Sequence, residues 1–298
     1  MIRRLLPLLL LALLALASPA RAEVTVLTSL EIIHALGETL ARGTDLRVVN
    51  VVPEAYPLSG HEGYYRSHGR EFQAAAAGAD AVLTVRSVWP DDPLYPMARR
   101  ANLRVVPIDA ARPLDGLGAG VPQEETEGGA SPRVWRSPAN LMRMAAIVSR
   151  DLARLSPSDA EAIHANLAAL QSALFALRSR YEAIFLGLES VDVAVLTRDW
   201  SGLAAEFGLN VAVCELKPEG SWTGADRLRF TDRLRQRNVR AVICAFPPGE
   251  EARRAAEEAG ARTVVLTRFA RKGGADPSES LVRWYGDNLS RLAASLQP

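Results

Sequence analysis

Short apolar runs alternate with helical periodicity along the chain, and this alternation occurs twice. The first set of predicted strands covers residues 24–28, 46–52, 81–85 and 103–108. The second set covers residues 191–196, 211–216, 241–246 and 263–266. Strands that alternate with helices are typical of parallel α/β construction. We therefore predict an α/β fold with two similar domains, each built on a parallel four-stranded sheet.

The strongest helical periodicity lies between the two sets of strands. Apolar residues recur there at intervals of four and three: Ile163, Leu167, Leu170, Leu174, Leu177, Tyr181, Ile184 and Leu188. Ser156 is suited to cap this helix, and Pro157 to occupy its first position. About 30 residues at 1.5 Å each span roughly 45 Å, so the helix is long enough to lie against both domains. A coiled-coil partner is the competing explanation for the apolar stripe.

Residues 1–22 have the features of a secretory signal peptide. Arg3 and Arg4 precede a short apolar run, and Ala20-Arg21-Ala22 is a small-residue cleavage site. The apolar run is too short to span a bilayer. We expect cleavage after Ala22 and a periplasmic protein. The remaining chain is then divided into an N-terminal domain (23–155), a linking helix (156–188) and a C-terminal domain (189–298).

The charge balance bears on the binding partners, and the cysteine content bears on a possible disulfide. Without the three arginines of residues 1–22, the chain has 32 basic and 34 acidic residues. That balance argues against nucleic acid or an anionic membrane surface as a partner. An exported chain with two cysteines can form one disulfide. Cys214 and Cys244 each lie in an apolar run, however, so two buried thiols are the alternative.

The segment Pro132-Arg133-Val134-Trp135-Arg136-Ser137-Pro138-Ala139-Asn140 precedes a further helical pattern. Ser137 is a favourable N-cap, and Pro138 fits the first helical position, where its missing N–H costs nothing. A tight turn should therefore present the residues before Ser137 to a cleft. Arg133 is the candidate ligand-facing residue of this turn.

This segment is similar to the PHVWLDP turn of the zinc and manganese solute-binding proteins of bacterial ABC importers, the ZnuA/TroA-like group. The similarity continues through the two helices that follow, to residue 170. Residues 197–211 resemble the family's HDAFGYLARRYGL segment, and residues 224–246 resemble its helix-then-strand segment. The resemblance implies two α/β domains joined by one long rigid helix, with the ligand in the cleft between them. It also implies a monomeric binding protein, not an enzyme, that delivers zinc or manganese to an ABC permease in the inner membrane.

The family holds its cation with three histidines, or two histidines and a glutamate, together with one aspartate. The resemblance places the first histidine near His61, with His68 as a competitor, in a predicted loop that leads to a helix near residue 69. It places the other positions as follows: the second histidine on Arg133, the third on Thr197 next to Arg198 and Asp199, and the aspartate on Thr267 next to Arg268.

These replacements change the chemistry that the resemblance implies. Arginine keeps its proton in proteins and is not a credible metal ligand. Three arginines near one cleft repel a free cation and attract an anion through charge-assisted hydrogen bonds. An anion, or a metal inside an anionic chelator, then becomes the expected ligand, while His61, His68 and Glu62 are the candidates for a partial metal site.

Two other interpretations of the same residues stay open. The chain has 33 arginines and two lysines, so these arginines can be ordinary ion-pair residues, with Asp199 available to neutralise Arg198. Trp135 and Trp200 can stack on a planar ligand or simply pack at the domain interface.

Two other function classes remain as alternatives. One is an accessory protein that kept the scaffold and binds a periplasmic partner. The other is an exported enzyme, but the sequence lacks a Gly-x-Ser-x-Gly elbow, a phosphate loop and a His-Glu-x-x-His helix.

Overall fold

Two parallel four-stranded sheets with the same strand order form the framework of the protein. The structure is a computed structural model that describes residues 23–116, 118–123, 130–271 and 273–297. The first sheet contains β1 (Val24–Thr28), β2 (Leu46–Asn50), β3 (Ala81–Thr84) and β4 (Val106–Asp109) in the order β2-β1-β3-β4. The second contains β5 (Asp192–Val195), β6 (Asn210–Cys214), β7 (Ala241–Cys244) and β8 (Arg262–Val265) in the order β6-β5-β7-β8. The predicted signal peptide lies outside the described residues.

Helices connect the strands and cover the sheets. In the part of the chain that the structure describes, the α-helices are α1 (Glu31–Leu40), α2 (His61–Ser67), α3 (Gly69–Ala77), α4 (Leu94–Ala101), α5 (Pro138–Leu155), α6 (Ala160–Leu186), α7 (Ser201–Glu206), α8 (Gly224–Gln236), α9 (Glu250–Ala259) and α10 (Pro277–Leu296). Among these described helices, none combines the length and apolar character needed to cross a membrane.

Helix α6 is the predicted linking helix. Its apolar stripe is buried within the chain, since Ile163, Leu170 and Leu174 have no exposed surface. The stripe therefore packs against the protein itself and not against a coiled-coil partner. The helix begins differently from the prediction, because Ser156 does not accept a backbone hydrogen bond. Instead its hydroxyl donates to the Asp159 carboxylate over 2.6 Å at a preceding 3₁₀ turn.

The linking helix and α10 join the two halves of the chain, defined here as the residues before and after α6. Asn166 donates to the carbonyl oxygens of Leu40 at 3.0 Å and Arg42 at 2.8 Å, and so caps the end of α1. Helix α10 packs against α1 and α6. One apolar core is therefore continuous from Leu83 in the first sheet to Ile243 in the second.

The segment around His61 differs from the prediction. It forms helix α2 and not a loop. A pair four residues apart on the helix, Arg66 and Glu62 at 3.1 Å, supports this turn of helix, and the Tyr65 side chain anchors it in the core with 1% of its surface exposed.

The two cysteines are not joined by a disulfide. Strand β5 lies between β6, which carries Cys214, and β7, which carries Cys244. Neighbouring strands are about 4.8 Å apart, so two strand spacings exceed the roughly 7 Å between Cα atoms that a disulfide tolerates. The disulfide is thereby ruled out in this fold. The alternative of two buried thiols is correct as to the separate strands and the burial of Cys244, whereas Cys214 is only half-buried.

Candidate ligand-binding site

A cavity of about 420 Å³ lies between the two halves, at the carboxyl ends of the strands. Crevices at this edge of open α/β sheets are the usual places for ligands. The segments after β1, β2, β7 and β8 contribute to the wall, together with the turn that precedes α5. The lining residues used below are Ser29, Glu31, Glu54, Tyr56, His61, Arg133, Trp135, Arg136, Asp199, Phe246, Thr267, Arg268, Phe269 and Trp284.

The predicted turn before α5 is present and presents two arginines to the cavity. Ser137 caps α5 by accepting a hydrogen bond from the Asn140 N–H at 3.1 Å, and Pro138 is the first helical residue. The residues before the cap form a 3₁₀ turn, Val134–Arg136. Because a 3₁₀ helix has three residues per turn, Arg133 and Arg136 lie on the same side of it.

Both guanidinium groups meet the carboxylate of Asp199 from the second half. The distance from Arg133 Nη1 to Asp199 Oδ1 is 3.1 Å, and that from Arg136 Nη1 to Asp199 Oδ2 is 3.5 Å. The hydroxyl of Ser131 donates to the same carboxylate at 2.9 Å. Two positive charges and one negative charge therefore share this corner of the cavity, which leaves it with an excess positive charge.

Arg136 is the most buried of these charged groups, with 7% of its surface exposed. Its guanidinium carbon lies 4.1 Å from the centre of the Trp200 ring, a cation–π contact. Burial and the neighbouring Arg133 lower the pKa of Arg136 to about 10, although Asp199 opposes this shift, so the group stays charged at neutral pH. Its Nη1 atom is buried, and the 3.5 Å ion pair with Asp199 Oδ2 is not a hydrogen bond, so this atom donates no hydrogen bond within the described residues. A ligand oxygen at this atom would satisfy it.

Thr267 and Arg268, from the second half of the chain, also line the cavity. The Thr267 backbone is fixed by Asn288, whose side-chain oxygen accepts its N–H at 2.8 Å, and by Trp284, whose indole N–H donates to its carbonyl at 2.8 Å. Arg268 follows with an exposed side chain, and no described carboxylate pairs with it. Arg268 therefore adds a third guanidinium to the cavity wall.

Thr197, Arg198 and Trp200 do not line the main cavity. Thr197 accepts the Asp199 N–H at 3.2 Å and so holds the backbone of that residue. Arg198 lines a small crevice beside the cavity, which it shares with Arg133 and Asp199. Trp200 is 1% exposed and packs beneath Arg136, so it supports the guanidinium, whereas Trp135 does line the cavity.

The two candidate histidines are placed differently. His61 lines the cavity, is 2% exposed, and has a buried Nδ1 atom that makes no hydrogen bond in the described chain. Burial lowers its pKa, so the ring is neutral at pH 7. His68 stacks on Tyr64 with ring centres 4.2 Å apart and does not line the cavity. The described residues contain no group of three or more His, Cys, Asp or Glu side chains placed to hold a metal ion.

The acidic residues of the cavity complete its electrostatics. Glu31 pairs with Arg271 at 3.3 Å, a contact that also ties α1 to the segment after β8. Burial raises the pKa of Glu31, although Arg271 and Asn50 lower it. Glu54 lies beyond Glu31 on the wall of the first half. The corner at Arg133 and Arg136, where two guanidinium groups share the Asp199 carboxylate, therefore stays positive, and Arg268 adds a further positive charge to the wall.

Sequence reasoning missed Arg136 as a site residue. The signal that would have found it is the spacing of three residues from Arg133 just before a capped helix, because such a segment commonly forms a 3₁₀ turn. The pairing of both arginines with Asp199 had no comparable signal, since the partners are more than 60 residues apart.

A family model described as "Zinc-uptake complex component A periplasmic" (ZnuA) matches residues 20–295. No curated protein matches the chain significantly.

Solved structures similar to this chain share its fold at low sequence identity. The SBP FpvC of P. aeruginosa, in complex with a Ni²⁺ ion, is 18% identical and has a TM-score of 0.71, with 93% of this chain and 97% of that chain covered. A crystal structure of ZnuA is 21% identical with a TM-score of 0.64, over 91% and 99% of the two chains. A mutant of the laminin-binding adhesin Lmb from Streptococcus agalactiae is 19% identical with a TM-score of 0.68, over 92% and 100%.

Proposed function

This chain belongs to the ZnuA family, that of the periplasmic component A of zinc-uptake complexes, and from this membership we propose that it is the periplasmic solute-binding component of an ABC importer. In this role it captures a ligand in the cleft between its halves and delivers it to a permease in the inner membrane, without catalysis. Residues 1–22 serve as the signal peptide, with cleavage after Ala22, and the protein acts as a monomer.

The arrangement of Arg133, Arg136 and Asp199 supports a ligand that carries negative charge. The single observation behind this proposal is the buried, charged Nη1 atom of Arg136, a residue of the cavity wall: Asp199 Oδ2 at 3.5 Å is its ion-pair partner but makes no hydrogen bond to it. A buried donor without an acceptor destabilises a protein, and more so when it is charged. An anionic group of the ligand would remove that cost and gain a charge-assisted hydrogen bond.

Zinc and manganese, the cargo expected of the family, fit the same site when an anionic chelator surrounds them. The resemblance assigns three of the family's four ligand positions to Arg133, Thr197 and Thr267, and the fourth near His61. One neutral imidazole provides a single donor, whereas zinc sites need three or four. The chelator would supply the missing donors and the negative charge that Arg133 and Arg136 attract.

The cavity itself bears on the two alternative functions. A volume of about 420 Å³ falls within the usual range for ligand pockets, about 300–1,000 Å³, which favours ligand binding over an accessory protein without a pocket. An enzyme would need an acid, a base or a nucleophile beside this cavity. The candidate acids and bases on its described wall are His61, Glu31, Glu54 and Asp199. Asp199 is held in ion pairs with Arg133 and Arg136, and Glu31 in one with Arg271, which favours binding over catalysis.

Equilibrium dialysis followed by elemental analysis tests the charge of the cargo. The mature protein is dialysed against Zn²⁺ or Mn²⁺ alone and against the same metals with excess citrate. We expect less than stoichiometric metal without citrate and increased retention with it. The Arg133→Gln variant should lose the citrate-dependent retention, whereas Arg180→Gln on the linking helix should keep it. Stoichiometric retention of the free ions would contradict the proposal of a negatively charged ligand.

A further inference from the structure

The cavity has more apolar wall than an inorganic ion requires. Trp135, Phe269 and Trp284 form its inner side. Phe269 and Trp284 contact each other edge to face with ring centres 5.8 Å apart, and Trp284 continues to Trp200 at 6.2 Å. These rings hold one another in place, so the inner wall is rigid. An apolar wall gains free energy when an apolar ligand surface displaces water from it.

Two further aromatic side chains lie on the outer part of the cavity, one from each half of the chain. Tyr56 follows β2 and is 38% exposed, and Phe246 follows β7 and is 75% exposed. Single exposed apolar residues are common on protein surfaces. Phe246 differs from such residues because it lines the same cavity as the buried aromatic wall and the arginines.

Charge and apolar surface therefore occur together at this site. Arg133 and Arg136 offer N–H donors at one corner, while aromatic rings line the inner and outer walls. A guanidinium binds a carboxylate through paired hydrogen bonds, and aromatic rings bind a planar ring through offset or edge contacts. A ligand that uses both features carries an anionic group at one end and a flat apolar body at the other.

We propose that the cleft binds an aromatic carboxylate, with its anionic group at Arg133 and Arg136 and its planar body between the inner aromatic wall and Phe246. This proposal rests on the proposed solute-binding function and specifies the chemical class of its cargo. Phe246 and Tyr56 act as specificity residues that favour planar ligands. A metal-bound aromatic carboxylate belongs to the same class, since its organic part makes the same contacts.

Binding to matched carboxylates tests the proposal. The mature protein is titrated with benzoate, phthalate, indole-3-acetate and 2-naphthoate, and with succinate and the saturated analogue decahydro-2-naphthoate. Isothermal titration calorimetry gives affinities, and the fluorescence of Trp135 and Trp284 reports occupancy of the cavity. We expect at least one aromatic carboxylate to quench this fluorescence saturably. We also expect 2-naphthoate to bind about tenfold more tightly than its saturated analogue.

Phe246→Ala and Phe175→Ala form a matched pair of variants. Phe175 is also exposed, at 61%, but lies on the linking helix and does not line the cavity. Phe246→Ala should weaken 2-naphthoate binding about three- to tenfold and decahydro-2-naphthoate binding by a smaller factor, because only the planar ligand also loses a ring–ring contact. Phe175→Ala should change neither affinity, and both variants should melt at the temperature of the parent protein.

The possible results separate this proposal from the proposed function. If succinate and 2-naphthoate bind equally and both need Arg133, the aromatic specificity is refuted while the anion-binding function stands. If no carboxylate binds and free Zn²⁺ or Mn²⁺ is retained stoichiometrically, both proposals are refuted. If no aromatic carboxylate binds at all, the proposal of this class of ligand is wrong.

Discussion

Replacement of Asp199 by asparagine should strengthen the binding of an anion to the cleft. The substitution keeps the size of the side chain and an oxygen that accepts from Ser131. It removes the negative charge that now lies 3.1 Å from Arg133 Nη1 and 3.5 Å from Arg136 Nη1. In the parent protein this carboxylate neutralises part of the charge that a ligand would use.

The size of the effect follows from the spacing of the charges. An anion on the far side of the Arg136 guanidinium would lie about 6 Å from the Asp199 carboxylate. Two unit charges at about 6 Å repel by roughly 3 kcal/mol at an effective dielectric constant of about 20 and by half that at about 40. Because the cavity is open to solvent and salt, we use the lower value. That value corresponds to about a tenfold gain in affinity.

Calorimetric titration of the parent and Asp199→Asn proteins with 2-naphthoate, at about 0.05 and 0.5 M salt, measures the change. Glu161→Gln is the control, because it alters the net charge equally at a residue that does not line the cavity. We expect the gain for Asp199→Asn alone, and a smaller gain at the higher salt concentration. A folded Asp199→Asn protein with equal or weaker 2-naphthoate affinity would refute the placement of the anion at Arg133 and Arg136. For a free cation the sign reverses, and Asp199→Asn would weaken binding.

Three predictions concern the scaffold. The Glu206 side chain is 6% exposed and accepts from Ala139 N–H at 3.1 Å and Arg178 Nε at 2.9 Å, so Glu206→Ala should cost about 3 kcal/mol and lower the melting temperature by about 6–12 °C in calorimetry. Burial raises the pKa of Asp92 to about 6. Ionisation of Asp92 therefore destabilises the folded parent protein increasingly as the pH rises from about 4 to 6. The melting temperature of Asp92→Asn should accordingly rise relative to that of the parent over this range. Burial also raises the pKa of the Cys244 thiol to about 12, so in a Cys214→Ala background a thiol reagent should modify Cys244 only after unfolding. The first expectation is contradicted if Glu206→Ala melts at the temperature of the parent protein, and the second if the melting-temperature difference for Asp92→Asn does not change with pH. Labelling of Cys244 in the folded protein would contradict the third.

The sheets were predictable because the strands are mainly apolar runs, and the central strands β3 and β7 are buried along their whole length, a pattern that depends on local sequence alone. All eight predicted strands occur, but their ends shift where local turns compete. Strand β4 begins at Val106 and not at residue 103, because Asn102 accepts the Arg104 N–H at 3.0 Å and leaves Leu103 in a turn with 76% exposure. The domain limits at residues 155 and 188 stay predictions.

The site was predictable only where it depends on neighbours in sequence. Ser137 and Pro138 fix the turn that carries Arg133, so its position at the cavity followed from the cap. The role of Asp199 depends on a contact across the two halves, and no sequence periodicity reports such a contact. Ion pairs with Arg133 and Arg136 were not predicted for it, and the structure shows both.

The shared strand order has a consequence for how this scaffold can be re-engineered. The side chains within β1, such as Val26 and Leu27, are buried, but cavity-lining residues come just after the strands end: Ser29 follows β1, Phe246 follows β7 and Thr267 follows β8. The residues that form the core of the sheet and the residues that line the cavity are thus adjacent in sequence but distinct. A library randomised only at such post-strand residues should stay folded while it samples new ligands, which makes the scaffold suitable for biosensors of chosen small molecules.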